Sequence, residues 1–442
     1  MRDQIVEKVK NAGVVGAGGA GFPTHVKINA QVETVLVNGA SCEPLLMSDP
    51  HLLECEIDTI VEGLNAVMDC TGAKKGYICL KGKHCKAMES VKGAVAKDAS
   101  GRLELFELKD FYPAGDEQVL VREVTGRTVP EAGIPLEVGV VVSNVESIYN
   151  IARAMKDIPL TDRYLTITGE VGRDMVVRVP VGTLVSDLLE FAGGATITDY
   201  RIVDGGPMMG RVLPDADQPV TKTTSGLMVL PSDHNVVAKK ITAPEILMRI
   251  AGTICCQCSM CTDLCPRNLL GHDIHPHKVM RSLAFGDRDS EVRKQALLCC
   301  ECGVCEKFAC PMGVSPREVN GLIKKELTAQ GVRWQGTGAD PENNPFRDTR
   351  HVPTQRLMQR LDIVKYDTHP GLVEGFVPSR VKISLCQHIG APALCRVKAG
   401  ESVCKGDPIG EIPDNALGAR IHASIDGIVE SIDDGVVIIK AA

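Results

Sequence analysis

Aromatic residues are scarce in this sequence: 3% of 442 residues, with a single tryptophan. Its cores must therefore rest on Val, Ile, Leu and Ala. No apolar run approaches the ~18 residues that a membrane span needs, so membrane contact would have to come through a partner. There is no basic excess either. A net charge of −7 leaves no electrostatic footprint for nucleic acid. Met1-Arg2-Asp3-Gln4 runs into a charged amphipathic segment and not into the apolar core of a signal peptide. These absences point to the cytoplasm. What is plentiful is glycine, proline and cysteine, at 43, 25 and 18 residues. The first two imply many turns and close backbone approaches. In a long chain without a secretion signal, so much cysteine implies a reducing compartment and metal. At about 150 residues per domain, the length suggests roughly three domains.

The cysteines are patterned. Cys255-x2-Cys258-x2-Cys261-x3-Cys265-Pro266 is followed by Cys299-x2-Cys302-x2-Cys305-x4-Cys310-Pro311. A single Cys-x2-Cys pair is ambiguous, and structural zinc uses two such pairs about 15–20 residues apart. Here each run has a third cysteine at the same step, then a Cys-Pro, and the whole pattern occurs twice. The spacing resembles a two-cluster bacterial ferredoxin module, with one extra residue before the last cysteine of the second run. That resemblance implies crossed ligand sets. Cys255, Cys258 and Cys261 would share one [4Fe–4S] cluster with Cys310; Cys299, Cys302 and Cys305 would share the other with Cys265. Cys256 and Cys300 fall out of step and are expected as small apolar filler. Clusters of this kind mostly move single electrons, so no residue is required as nucleophile or general base.

Upstream, Gly16-Ala17-Gly18-Gly19-Ala20-Gly21-Phe22-Pro23-Thr24 contains a formal Gly-x-Gly-x-x-Gly. Only Val14-Val15 precede it, and Phe-Pro interrupts the helix that should follow, so the dinucleotide fingerprint fails in context. The glycines still let backbone N–H groups approach a ring or phosphate; a plain tight turn is the alternative. Thr34–Val37 reads as a buried strand ending in Asn38-Gly39-Ala40-Ser41-Cys42-Glu43-Pro44. Tyr112-Pro113-Ala114-Gly115-Asp116-Glu117-Gln118 precedes a helix. Val138–Val142 is a strand ending in Ser143-Asn144-Val145-Glu146. Open α/β sheets bind ligands beyond the carboxyl ends of their strands.

These four motifs, in this order, resemble the flavin mononucleotide (FMN) site of the complex I flavoprotein subunit. They are more similar still to the Rnf complex C subunit. The resemblance implies that Gly16, Gly18, Gly19 and Lys27 lie along FMN. It implies that Asn38, Glu43, Tyr112, Gly115, Asp116, Glu117 and Asn144 fix its ring, ribityl chain and phosphate. NADH would be the electron donor. Two departures stand out: the acidic cluster after Asn38 is thinned to Glu43, and the acidic pair is Asp116-Glu117 in place of two glutamates.

Leu165–Gly169 and Met175–Pro180 alternate as a hairpin before a helix over Val181–Phe191 and a strand over Arg201–Asp204. This resembles the β-grasp (SLBB) module of the same flavoproteins, and is expected to serve packing and docking. Met208 and Met209 are expected as core or contact residues. His272-Asp273-Ile274-His275-Pro276-His277-Lys278 is expected as a solvated turn, since Lys278 stands where a cobalt-binding Asp-x-His-x-x-Gly needs glycine. Short strands recur across Val381–Lys440, similar to the barrel-sandwich domain of the Rnf C subunit. Cys386, Cys395 and Cys404 are expected at apolar strand positions there.

The expected fold is multidomain α/β + β. Residues 1–155 form a Rossmann-like α/β FMN/NADH domain and 156–240 an SLBB β-grasp. Residues 241–334 form an α-helical di-cluster ferredoxin module, 335–380 a linker and 381–442 an all-β barrel-sandwich hybrid. The sandwich leads in the Rnf C subunit; here it comes last. That order resembles the cobalamin reductases of propanediol-utilisation microcompartments. The resemblance implies NADH-dependent reduction of cob(III)/cob(II)alamin to reactivate a B12-dependent diol dehydratase. It also implies an adenosyltransferase and shell proteins as partners in a cytoplasmic bacterial microcompartment. The alternative is an electron-transfer adaptor for a ferredoxin or partner flavoprotein in a Rnf-like or glycyl-radical system.

Overall fold

The structure, a computed structural model, describes residues 1–286, 291–336 and 341–442. Four parallel strands form the first sheet, in the order Leu103–Leu108, Lys75–Lys81, Thr34–Gly39, Val140–Asn144. Side chains alternate across a strand, which splits the core into two layers. Val35 and Val37 pack with helices Ile57–Thr71 and Val145–Met155, while Leu36 packs with Leu120 and Val121 of helix Glu117–Thr125. The first helix, Arg2–Asn11, buries Ile5 and Val9 in the first layer. Where Ile57–Thr71 crosses Val145–Met155, only glycine fits: a Cβ on Gly63 would lie 2.2 Å from the Ile148 carbonyl oxygen.

The β-grasp sheet has six strands, ordered Leu372–Val373, Met175–Pro180, Asp162–Gly169, Gly226–Pro231, Tyr200–Asp204, Arg211–Val212. Helix Val185–Phe191 covers one face through Val185, Leu188 and Leu189. In the cysteine module, helices Pro244–Ile254, Pro276–Ala284 and Pro316–Ala329 meet around Leu247, Ala251, Val279, Val319 and Ile323. The sandwich pairs Arg380–Ser384, Val436–Ala441, Gly427–Asp433 and Ser402–Val403 in one sheet. Leu394–Cys395, Pro408–Glu411 and Ile421–His422 form the other. Between them lie Val381, Ile383, Ile409, Val429 and Ile439.

Residues 335–380, read from sequence as a linker, carry ordered elements; residues 337–340 of that stretch lie outside the described ones. Val352–Pro353 pairs antiparallel with Phe111–Tyr112. Helix Thr354–Leu361 buries Leu357, Met358 and Leu361 against Tyr112 and Val304. Leu372–Val373 extends the β-grasp sheet. The segment is a strap across three domains, held by side chains that need their tertiary partners. Two further expectations change. His272 is buried, its Nε2 2.9 Å from the Val129 carbonyl oxygen, so the histidine turn is not wholly solvated. Cys386, Cys395 and Cys404 are all exposed, and only Cys395 lies in a strand.

Lys222 fastens the domains together. Its buried ammonium donates to the carbonyl oxygens of Gly13 in the first domain, at 2.8 Å, and Arg420 in the sandwich, at 2.6 Å. The Lys222 backbone N–H donates to Gln387 Oε1 at 2.9 Å. Lys405 of the sandwich pairs with Asp162 of the β-grasp at 2.7 Å.

Candidate functional site: a glycine-floored cavity beside two cysteine knots

Strands Thr34–Gly39 and Val140–Asn144 run side by side with Asn38 and Asn144 in register at their carboxyl ends. Both asparagines thus reach the same edge of the sheet. Asn144 caps helix Val145–Met155, accepting from the Glu146 N–H at 2.8 Å, and its Nδ2 donates to Asp49 at 2.9 Å. Asn38 Nδ2 donates to the Gly115 carbonyl oxygen at 2.8 Å. A side chain at Gly115 has no room, because a Cβ would stand 2.9 Å from Ala40, 3.0 Å from Asn38 and 3.1 Å from Cys42 Sγ.

The glycine loop closes on itself through the Gly16 N–H and Phe22 carbonyl oxygen, 2.9 Å apart. It is pinned from below. The Ala17 N–H donates to Ser147 Oγ at 2.9 Å, and Arg163, paired with Glu146 at 2.8 Å, donates to the Ala17 carbonyl at 3.3 Å. Lys27 Nζ donates to Glu117 at 2.7 Å and to the Val142 carbonyl at 2.8 Å. These contacts gather every flavin-site residue named from sequence, Gly16, Gly18, Gly19, Lys27, Asn38, Glu43, Tyr112, Gly115, Asp116, Glu117 and Asn144, around one cavity of about 400 Å³.

Their side chains are not equally free. Asp116 caps helix Glu117–Thr125 through the Gln118 and Val119 N–H groups and receives both Arg267 Nη atoms, at 2.5 and 3.0 Å. Tyr112 is buried and its hydroxyl donates to the Cys302 carbonyl at 2.6 Å, so its oxygen is already engaged. Glu43 accepts from the backbone N–H groups of Met208 and Met209, at 2.9 and 2.8 Å. Burial raises its carboxyl above the ordinary range. Met209 therefore enters the cavity wall from the β-grasp domain, a role that sequence reasoning missed. A second cavity of about 520 Å³ shares the glycine loop and is lined by Asp49, Glu146, Arg163 and the Asp204–Arg211 turn. Burial, then the neighbouring Glu146, pushes Asp49 up to about 7.

The two cysteine knots share a backbone. Gln257 and Ser259 in the first, and Glu301 and Gly303 in the second, all have φ between 56° and 82°. Left-handed residues at alternate positions turn successive N–H groups inward, the nest found around anionic clusters. Three of the four are not glycine, at a cost of about 1–2 kcal/mol each. Cys255, Cys258, Cys261 and Cys310 line one hollow with His277 and Met280. Cys265 stands in electrostatic reach of Cys299, Cys302 and Cys305. The expected filler residues differ: Cys256 is exposed, and Cys300 lines the cavity of about 400 Å³ together with Cys302.

Cobalamin reductase PduS of Salmonella typhimurium is 44% identical over 98% of this chain and 95% of its own length. Its counterpart from Citrobacter freundii is 42% identical over 97% and 95%. The chain belongs to the PduS cobalamin reductase family. Within this PduS-family chain, residues 9–153 match the Nuo51 FMN-binding domain and 164–212 the SLBB domain. Residues 254–315 match the 4Fe-4S dicluster domain and 365–441 the RnfC barrel sandwich hybrid domain. The C subunit of the Na(+)-translocating ferredoxin:NAD(+) oxidoreductase complex of Acetobacterium woodii is 36% identical over 60% of this chain and 58% of its own. The cofactors of the PduS-family chain are FMN and two [4Fe–4S] clusters. The glycine-floored cavity and the paired knots fit them.

Proposed function

We propose that this chain is an oxidoreductase that transfers electrons from NADH to cobalamin, reducing cob(III)alamin and cob(II)alamin. FMN, when bound, supplies the chemistry that converts a two-electron hydride donor into single-electron traffic. The residues do the placing. Gly16, Gly18 and Gly19 leave room for a flat ring. Lys27 offers its ammonium to an anionic oxygen. Asn38, Gly115 and Asn144 fix the rim, while Asp116 and Glu43 hold the wall to the neighbouring domains. The crossed ligand sets, Cys255, Cys258, Cys261 with Cys310 and Cys299, Cys302, Cys305 with Cys265, hold the clusters. The supporting observation is that one cavity is lined both by the residues assigned to flavin and by Cys300 and Cys302 of the second knot. The reading takes residues 1–155 as the FMN/NADH domain, 156–240 as the β-grasp, 241–334 as the cluster module, 335–380 as the connecting segment and 381–442 as the sandwich. The reading extends to a bacterial microcompartment as location, with an adenosyltransferase and shell proteins as partners.

Anaerobic stopped-flow with NADH and hydroxocobalamin tests it, following flavin, cluster and corrin bands. Flavin and cluster bleaching should precede the corrin change. A corrin spectrum that stays constant while flavin and clusters are reduced removes the assignment.

A further inference from the structure

We infer that electrons leave this protein at the first knot, the one formed by Cys255, Cys258, Cys261 and Cys310, and that the second knot is internal. The inference rests on the reading of the chain as a cobalamin-reducing flavoprotein. The two knots have the same backbone but opposite surroundings. Residues 302–307 of the second are all buried. It is tied down by Tyr112 on the Cys302 carbonyl, Lys324 on the Cys299 carbonyl at 2.7 Å, and Arg317 on the Glu301 carbonyl at 3.1 Å. The strap helix Thr354–Leu361 closes over it. Cys300 and Cys302 line the flavin cavity, and no cysteine of the first knot does.

The first knot opens outward. Cys256 and Cys258 are exposed, and Ile254, Met260 and Met312 around them keep 44%, 45% and 46% of their surface in solvent. Cys310 adjoins the exposed Pro311–Gly313 turn. A large acceptor comes closer to this knot, through Cys258, than to the other, whose Cys302 and Cys305 are buried. In balance, each NADH gives up a hydride and becomes NAD+. Its two electrons leave singly at the first knot, each lowering one cobalt by one oxidation state, and the remaining proton goes to solvent.

The test is electron paramagnetic resonance of the NADH-reduced, fully loaded protein with and without a soluble dysprosium chelate. The chelate should shorten the relaxation of one cluster signal several-fold and leave the other unchanged. Cys258→Ser should remove the chelate-sensitive signal, keep flavin reduction by NADH, and slow cobalamin reduction. Cys302→Ser should remove the insensitive signal. Met312→Glu spares every ligand; its new charge should lower the reduction potential of the chelate-sensitive signal alone. Sensitivity of both signals, or assignment of the sensitive one to the Cys302 knot or away from Met312, overturns the inference. Failure of NADH to reduce the flavin in the parent protein instead overturns the underlying function.

Discussion

Lys27 is held at the cavity by the Glu117 carboxylate and the Val142 strand carbonyl together. A charge-assisted hydrogen bond contributes about 1.5–3 kcal/mol, so Lys27→Met should weaken FMN binding by roughly ten- to a hundredfold. Flavin fluorescence released on dilution reads this directly, and iron content should not change. Asp49 supplies a pH dependence. Its carboxyl sits at about 7 against an ordinary 3.8. The folded state therefore keeps a proton that the unfolded chain gives up. The stabilisation is complete below 3.8 and is lost as pH rises through about 7. Asp49→Asn should melt close to the parent at pH 4 and increasingly above it toward pH 8, as followed by thermal denaturation.

At the scale of elements, the glycine at the crossing of helices Ile57–Thr71 and Val145–Met155 sets how the second helix delivers Asn144 to the site. Forcing a larger side chain into such a contact costs about 1–3 kcal/mol. Gly63→Val should lower the free energy of unfolding by that amount and loosen flavin binding with it, which a paired measurement of stability and FMN content checks. Elements whose signal is local were legible from sequence. The cysteine knots are readable because cluster ligation requires a fixed step, and the strands at Thr34 and Val140 because they are short continuous runs rich in β-branched residues. Other elements were not. Lys75–Lys81 and Leu103–Leu108 mix charges with Leu, Tyr and Cys, since each is covered unevenly. The strap helix Thr354–Leu361 was hidden because its apolar face has meaning only against Tyr112 and Val304, about 240 and 50 residues away respectively. The same holds in the site. Met209 and Arg267 reach it from 166 and 151 residues beyond their partners Glu43 and Asp116, so no motif could announce them.

Across the whole molecule, flavin domain, β-grasp and sandwich meet at Lys222. Replacing it with methionine leaves the Gly13 and Arg420 carbonyls without their buried donor. An unsatisfied buried group costs about 1–3 kcal/mol. Lys222→Met should therefore raise amide hydrogen exchange at Gly13–Val15 and throughout residues 380–442, with the cysteine module unaffected. Contacts of this kind, and not covalent continuity, decide where the sandwich sits. Arg420 also reaches Asn11 at 2.7 Å, so the sandwich already rests against the end of the first helix. Its place in the reading frame is thus free to change. A circularly permuted gene with the sandwich encoded ahead of that helix should yield the same surfaces in the same places. Gene orders that differ among such flavoproteins then become alternative splices of one architecture.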